Sequence, residues 1–162
     1  MSAPTSAPTS ALIAAAAPAI AAALEEFERL GAACPPPEPG DDIETVDAAE
    51  RLQIHLQLLT KTFVTQRWPR GGKLGTMMDA VAAAYGGAML AVCNAFADGA
   101  GTKRADVFDA MLDGIEGYAI GRQQAIDRGH VLVGGIMATV TPDGGLAPHT
   151  PDFRDRLGAD HG

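Results

Sequence analysis

Hydrophobic positions in the middle of the chain recur with a helical period. Leu52, Leu56, Leu59 and Phe63 are spaced by 4, 3 and 4 residues, and Ala49 extends the series upstream. That rhythm puts the side chains on one face of a helix and predicts a seam of about two heptads, enough for an antiparallel bundle. Asp41 and Glu44 stand at capping-box spacing ahead of it, with Thr45 as a second candidate cap. Pro69 ends the helix after Trp68, because a proline disfavours helical geometry in the residue before it.

A third helix is predicted from a Thr76 cap to about Asp98. Met77, Val81, Ala84, Ala88, Val92 and Ala95 keep the same rhythm on it. The connection Gly99–Thr102 is short, so the next helix should return antiparallel. That fourth helix reads from about Lys103 to Arg128. Phe108, Met111, Ile115, Tyr118 and Arg122 line its inner side, and Gly129 follows where a C-terminal glycine belongs.

Both ends of the chain depart from this pattern. Met1–Ser10 repeats a Ser-Ala-Pro-Thr unit and reads as a mobile tail. Ser10 is a candidate cap for a first helix reaching about Leu30, with Pro18 kinking or dividing it. Gly31 and three consecutive prolines (35–37) end that helix, and residues 34–42 form a stiff acidic linker. Beyond Gly129, Val131–Val133 and Ile136–Thr141 are β-favouring runs separated by two glycines, which is a hairpin signal. From Pro142 to Gly162 the chain is polar and reads as loose. The expected organisation is a tail over 1–10, a helical bundle over 11–129, and a β-like arm with a loose end over 130–162.

Composition agrees with an all-α, up-down bundle of about four helices carrying a C-terminal hairpin or extended arm. The 162 residues are 47% hydrophobic and only 5% aromatic. Alanine, the best helix former, accounts for 31 of them. The net charge of −8 disfavours a general nucleic-acid binder. Two cysteines, Cys34 and Cys93, are too few for a disulfide scaffold or a structural zinc site.

The longest apolar run, Ala11–Leu24, is shorter than the ~20 residues that cross a bilayer and contains Pro18. It has no preceding Lys or Arg and runs into Glu25, Glu26 and Glu28, unlike a signal peptide. The expectation is therefore no membrane span and a cytoplasmic location.

Local charge gives the sharpest clue to chemistry. No acid lies between Arg51 and Met78, whereas Arg51, Lys61, Arg67, Arg70 and Lys73 all do. Around the turn, Arg67, Arg70, Gly71, Gly72, Lys73 and Thr76 form a candidate anion site for a phosphate or carboxylate, at the start of the third helix. It is not a P-loop, since the spacing G-x-x-x-x-G-K-[ST] is missing. The simpler reading is a turn, with Arg67 complementing the end of the second helix.

Asp106, Asp109, Asp113 and Glu116 share one face of the fourth helix and read as its solvated side rather than a cation site. His55 beside the leucine seam reads as a boundary residue, and Cys93 as a small core-flanking one. Gly114, Gly117 and Gly121 lie on or near one face of the fourth helix, each costing about 1 kcal/mol relative to Ala. Close packing against another helix would recover that cost, so the three glycines form a candidate self-association face.

No catalytic constellation, metal site or cofactor motif emerges from the residues. The expected protein is a non-enzymatic helical interaction protein: a homo-oligomeric accessory or assembly component, or one with a helical protein partner. The competing expectation is an anionic small molecule, bound or turned over at the basic turn, with His55 or Tyr85 available for proton transfer.

Overall fold

A computed structural model describes residues 7–34, 40, 42–71, 73–100 and 103–149. Among these the protein is all-α with a small C-terminal sheet: α1 (Ala7–Ala33), α2 (Ile43–Arg67), a 3₁₀ turn (Trp68–Arg70), α3 (Leu74–Ala100) and α4 (Arg104–Asp127), then β1 (Val131–Val133), β2 (Ile136–Val140) and β3 (Leu146–Pro148). The tail expected over 1–10 lies outside the described residues up to residue 6, and Ala7–Ser10 already belong to α1. That helix runs through Pro18 without a break, and Ala16 and Ile20 on either side of the proline are buried.

The helix boundaries follow local chemistry, with some corrections. Asp42 caps α2: its carboxylate accepts from the Thr45 amide (3.1 Å) and the Thr45 hydroxyl (2.6 Å), and the predicted cap Asp41 lies outside the described residues. Thr76 is not a cap, because α3 starts at Leu74 and Met77 N–H already donates to Lys73 C=O. Gly129 ends α4 as predicted, with φ +82. Its N–H donates to Ile126 C=O and His130 N–H to Ala125 C=O, the paired bonds of a Schellman motif.

The chain divides into two compact units, residues 1–15 with 59–124 and residues 16–58 with 125–162. The second unit holds most of the buried apolar side chains. Ile20, Phe27 and Leu30 of α1 are buried there, as are Ile54 of α2, Ala125 of α4, and Met137 and Ala138 of β2. Leu52 was predicted to lead the α2 seam but is 58% exposed, whereas Ile54 is 3% exposed. Both residues sit in apolar series, and the sheet decides between them: the β1–β2 turn closes on Ile54 and Phe27.

That sheet is an antiparallel meander in the order β1-β2-β3. The predicted hairpin forms with Val133 opposite Ile136, so Gly134 and Gly135 make a two-residue turn. Only Gly134 has positive φ (+59), the pattern of a type II′ turn. The third strand corrects the expectation of a loose segment after Pro142. Residues 141–144 (Thr-Pro-Asp-Gly) form a turn in which Gly144 N–H donates to Thr141 C=O (2.9 Å), and Thr141 Oγ1 donates to Asp143 Oδ1. Leu146 then pairs with Val140, and Arg29 of α1 holds the strand by donating to the Leu146 carbonyl (2.6 Å).

The first unit is much less buried. Met77 and Cys93 of α3 are its buried apolar side chains among the described residues. Cys93 Sγ lies 3.5 Å from Met111 Sδ of α4, and Thr60 of α2 is hydrogen-bonded to Tyr85 of α3 (2.7 Å). Of the predicted α3 seam only Met77 is buried and Val81 half-buried, while Val92 is 40% exposed.

Candidate functional site

The candidate self-association face lies on α4 in the first unit. Asp106, Asp109, Asp113 and Glu116 are all exposed, as expected of a solvated side. The apolar side of the same helix is covered only in part. Phe108, Met111 and Arg122 are half-buried, whereas Leu112 is 43% and Ile115 50% exposed. Ile115 and Tyr118 were predicted to face inward and do not. A helix with acids on one side and uncovered apolar residues on the other lacks, among the described residues, its ordinary burial partner.

Gly114 and Gly117 are exposed and Gly121 is half-buried; their strip borders the acidic side, Asp113 standing one turn before Gly117, and lies away from Leu112 and Ile115. At each of the three, a built Cβ would meet nothing within 4 Å. Among the described residues, close approach of another element therefore does not explain these glycines.

The basic turn also lies in the first unit. Arg67 is the last residue of α2, exposed, with its guanidinium 6.0 Å from the centre of the Phe63 ring. Arg70 ends the 3₁₀ turn, and Gly72 lies outside the described residues. Gly71 takes a left-handed conformation (φ +77), and its N–H is engaged by the Trp68 carbonyl at 3.2 Å. Lys73 and Thr76 are exposed. The turn thus gathers exposed cations at one end of α3, but spends the Gly71 amide on its own closure.

Two features of this end carried no weight in the sequence reading. Trp68 is 52% exposed beside the cations. And α3 leaves several large apolar residues open: Leu74, Met78, Leu90 and Val92 are 40–62% exposed in the segment Leu74–Ala95, of mean hydropathy 1.4. That segment and Ser10–Ala33 are both long and apolar enough to cross a membrane, by length and composition alone. Asp79 interrupts the apolar run of Leu74–Ala95, which hides its length. Counting charges over a whole helical length would have found it.

The proton-transfer candidates are engaged structurally. His55 is half-buried with Nδ1 2.7 Å from the Arg51 carbonyl oxygen, and Tyr85 shares its hydroxyl with Thr60. An open hollow of about 220 Å³ next to that hydroxyl pair is lined mainly by Leu12, Leu59, Phe63, Val81 and Ala84. In the second unit the sheet brings His130 and His149 together, ring centroids 4.1 Å apart.

Compared with known proteins, the chain matches no family model, no curated protein and no solved structure.

Proposed function

We propose that this is a non-enzymatic helical interaction protein, a homo-oligomeric accessory or assembly component whose contact is α4 against a second copy. The observation that carries this reading is the strip of Gly114, Gly117 and Gly121 with open space around it, on a helix that also leaves Leu112 and Ile115 uncovered. Each interior helical glycine costs about 1 kcal/mol relative to alanine. Among the described residues nothing comes close enough to Gly114 or Gly117 to recover that cost. A second helix laid along this strip would recover it, because missing Cβ atoms let two backbones come close.

The test exploits opposite signs. Gly117→Leu adds a better helix former and so favours the isolated helix, while its bulk blocks the contact. The expected result is an assembled native mass for the natural chain and a single-chain mass for Gly117→Leu, with helicity retained or increased. A sedimentation mass of one chain for the natural protein throughout the micromolar range would sink the reading.

A further inference from the structure

The basic turn and α3 together describe a second surface, independent of α4. Between Asp79 and Asp98 the helix carries no charged residue. A helix apolar around its circumference belongs in a protein core or in lipid, yet Leu74, Met78, Leu90 and Val92 of this one are 40–62% exposed. Leu74, Met78, Val81, Tyr85, Met89 and Val92 follow one another at spacings of 4, 3, 4, 4 and 3 and fall on one face, whose middle, Val81 and Tyr85, turns to the hollow shared with α1 and α2. Leu74 is 55% and Met78 62% exposed, so the stripe is most open at its N-terminal end. That is the end at which exposed Arg67, Trp68 and Lys73 stand.

We propose that α3 and this turn dock on an anionic lipid surface. The open end of the α3 stripe, Leu74 and Met78, lies at the acyl boundary, the Trp68 indole sits at headgroup level, and Arg67 and Lys73 meet lipid phosphates. Three features gathered at the N-terminal end of α3 match the layers of such an interface. Apolar side chains suit the hydrocarbon edge; an amphipathic ring suits the belt above it; long cationic side chains reach the charged layer. Charge complementarity selects anionic headgroups. No acid occurs between Arg51 and Met78, so this is the part of a −8 chain that a negative surface attracts.

Trp68 is the single tryptophan of the chain, so its fluorescence reports this site alone. The full-length protein is titrated with vesicles of phosphatidylglycerol mixed into phosphatidylcholine, with phosphatidylcholine vesicles alone, and with inorganic phosphate. On the mixed vesicles Trp68 emission should move to shorter wavelength and become shielded from iodide, an effect that weakens as salt is raised. Phosphatidylcholine alone should give much weaker binding, and inorganic phosphate no shift. Arg67→Glu with Lys73→Glu should lower partitioning by more than about tenfold. Met78→Asp should weaken it through the stripe, and Lys73→Glu alone serves if the double variant loses helicity in lipid-free circular dichroism.

An unchanged Trp68 spectrum on the mixed vesicles overturns the proposal. So does equal binding to both vesicle types with the charge-reversed variant unaffected. A shift reproduced by inorganic phosphate would make the turn a simple anion site. A shift that rises with protein concentration in the absence of lipid would mean that a second copy covers α3. Either result replaces the lipid surface.

Discussion

Gly134 stands against the face of Phe27: a Cβ built on the glycine would lie 2.9 Å from both Cδ2 and Cε2 of the ring. The glycine also holds φ +59, where an L side chain is strained whatever room it has. Phe27 cannot easily yield, being only 5% exposed, with the Arg51 guanidinium 5.5 Å from its ring centre. Gly134→Ala should therefore destabilise the second unit by about 1–3 kcal/mol, from overpacking and backbone strain together. Gly135→Ala is the contrast. There the added atom meets the Glu50 carboxylate, the far end of a flexible side chain, and φ is not positive. Denaturant unfolding should show a clearly larger loss at 134 than at 135, and equal losses would refute the close fit on Phe27.

Acid should loosen the start of α2 before the cores are touched. Hydrogen bonds from the Thr45 hydroxyl and then the Thr45 amide hold the Asp42 carboxyl below its ordinary range. A pKa lowered in the folded state stabilises above the unfolded value and ceases to as pH falls through the folded one. The loss should appear below about pH 4. Glu26, held down by Arg29, and Asp143, held down by the Thr141 hydroxyl, act in the same sense. Asp42→Asn keeps a capping oxygen but cannot titrate, so its helicity should fall less steeply across this window. A helicity profile identical to the natural chain's would show that the cap does not contribute.

Arg51 joins α2 to α1 through three contacts. It donates to Asp47 (2.6 Å) on its own helix and to Glu28 (2.9 Å) on α1, and it covers the Phe27 ring. Its guanidinium serves two carboxylates and a ring at once, which an ammonium group cannot reproduce. Arg51→Lys should lower the melting temperature although the charge is kept, and Arg51→Ala should lower it further. A lysine variant melting with the natural protein would reduce this cluster to ordinary surface pairing.

The two thiols should differ in access. Cys93 is 1% exposed and rests on Met111, while Cys34, just past the end of α1, is half-buried. A thiol reagent under native conditions should modify Cys34 first and reach Cys93 only when the first unit opens. Cys93→Ser places a hydroxyl in apolar surroundings and should cost about 1–3 kcal/mol. Simultaneous labelling of both thiols would contradict the burial of Cys93.

How far the sequence could be read varied with how local the governing interaction was. The Gly129 stop, the Gly134-Gly135 turn and the four helices rest on bonds between near neighbours, and the pattern exposed each of them. The third strand was equally local in origin, since Thr141-Pro142-Asp143-Gly144 is a turn signature, but the polar residues around it masked the signal. The α2 seam failed for another reason. Leu52 and Ile54 both satisfy a helical series, and no intrahelical contact distinguishes them.

At the candidate surfaces, residue types alone showed the acidic side of α4, its glycines and the cations of the turn. They did not show which apolar positions stay open. Ile115 and Val92 look like core residues in one dimension, and only packed neighbours would have made them so.

What the sequence determined by itself, then, was periodicity, capping and turn chemistry, because these are settled within a few residues of chain. Tertiary structure alone decided that Ile54 rather than Leu52 is buried and that Phe27 needs a glycine opposite. It also decided that α3 and half of α4 keep their apolar sides open. Burial depends on which distant surfaces meet, and a helical repeat fixes the face that could be covered without fixing what covers it.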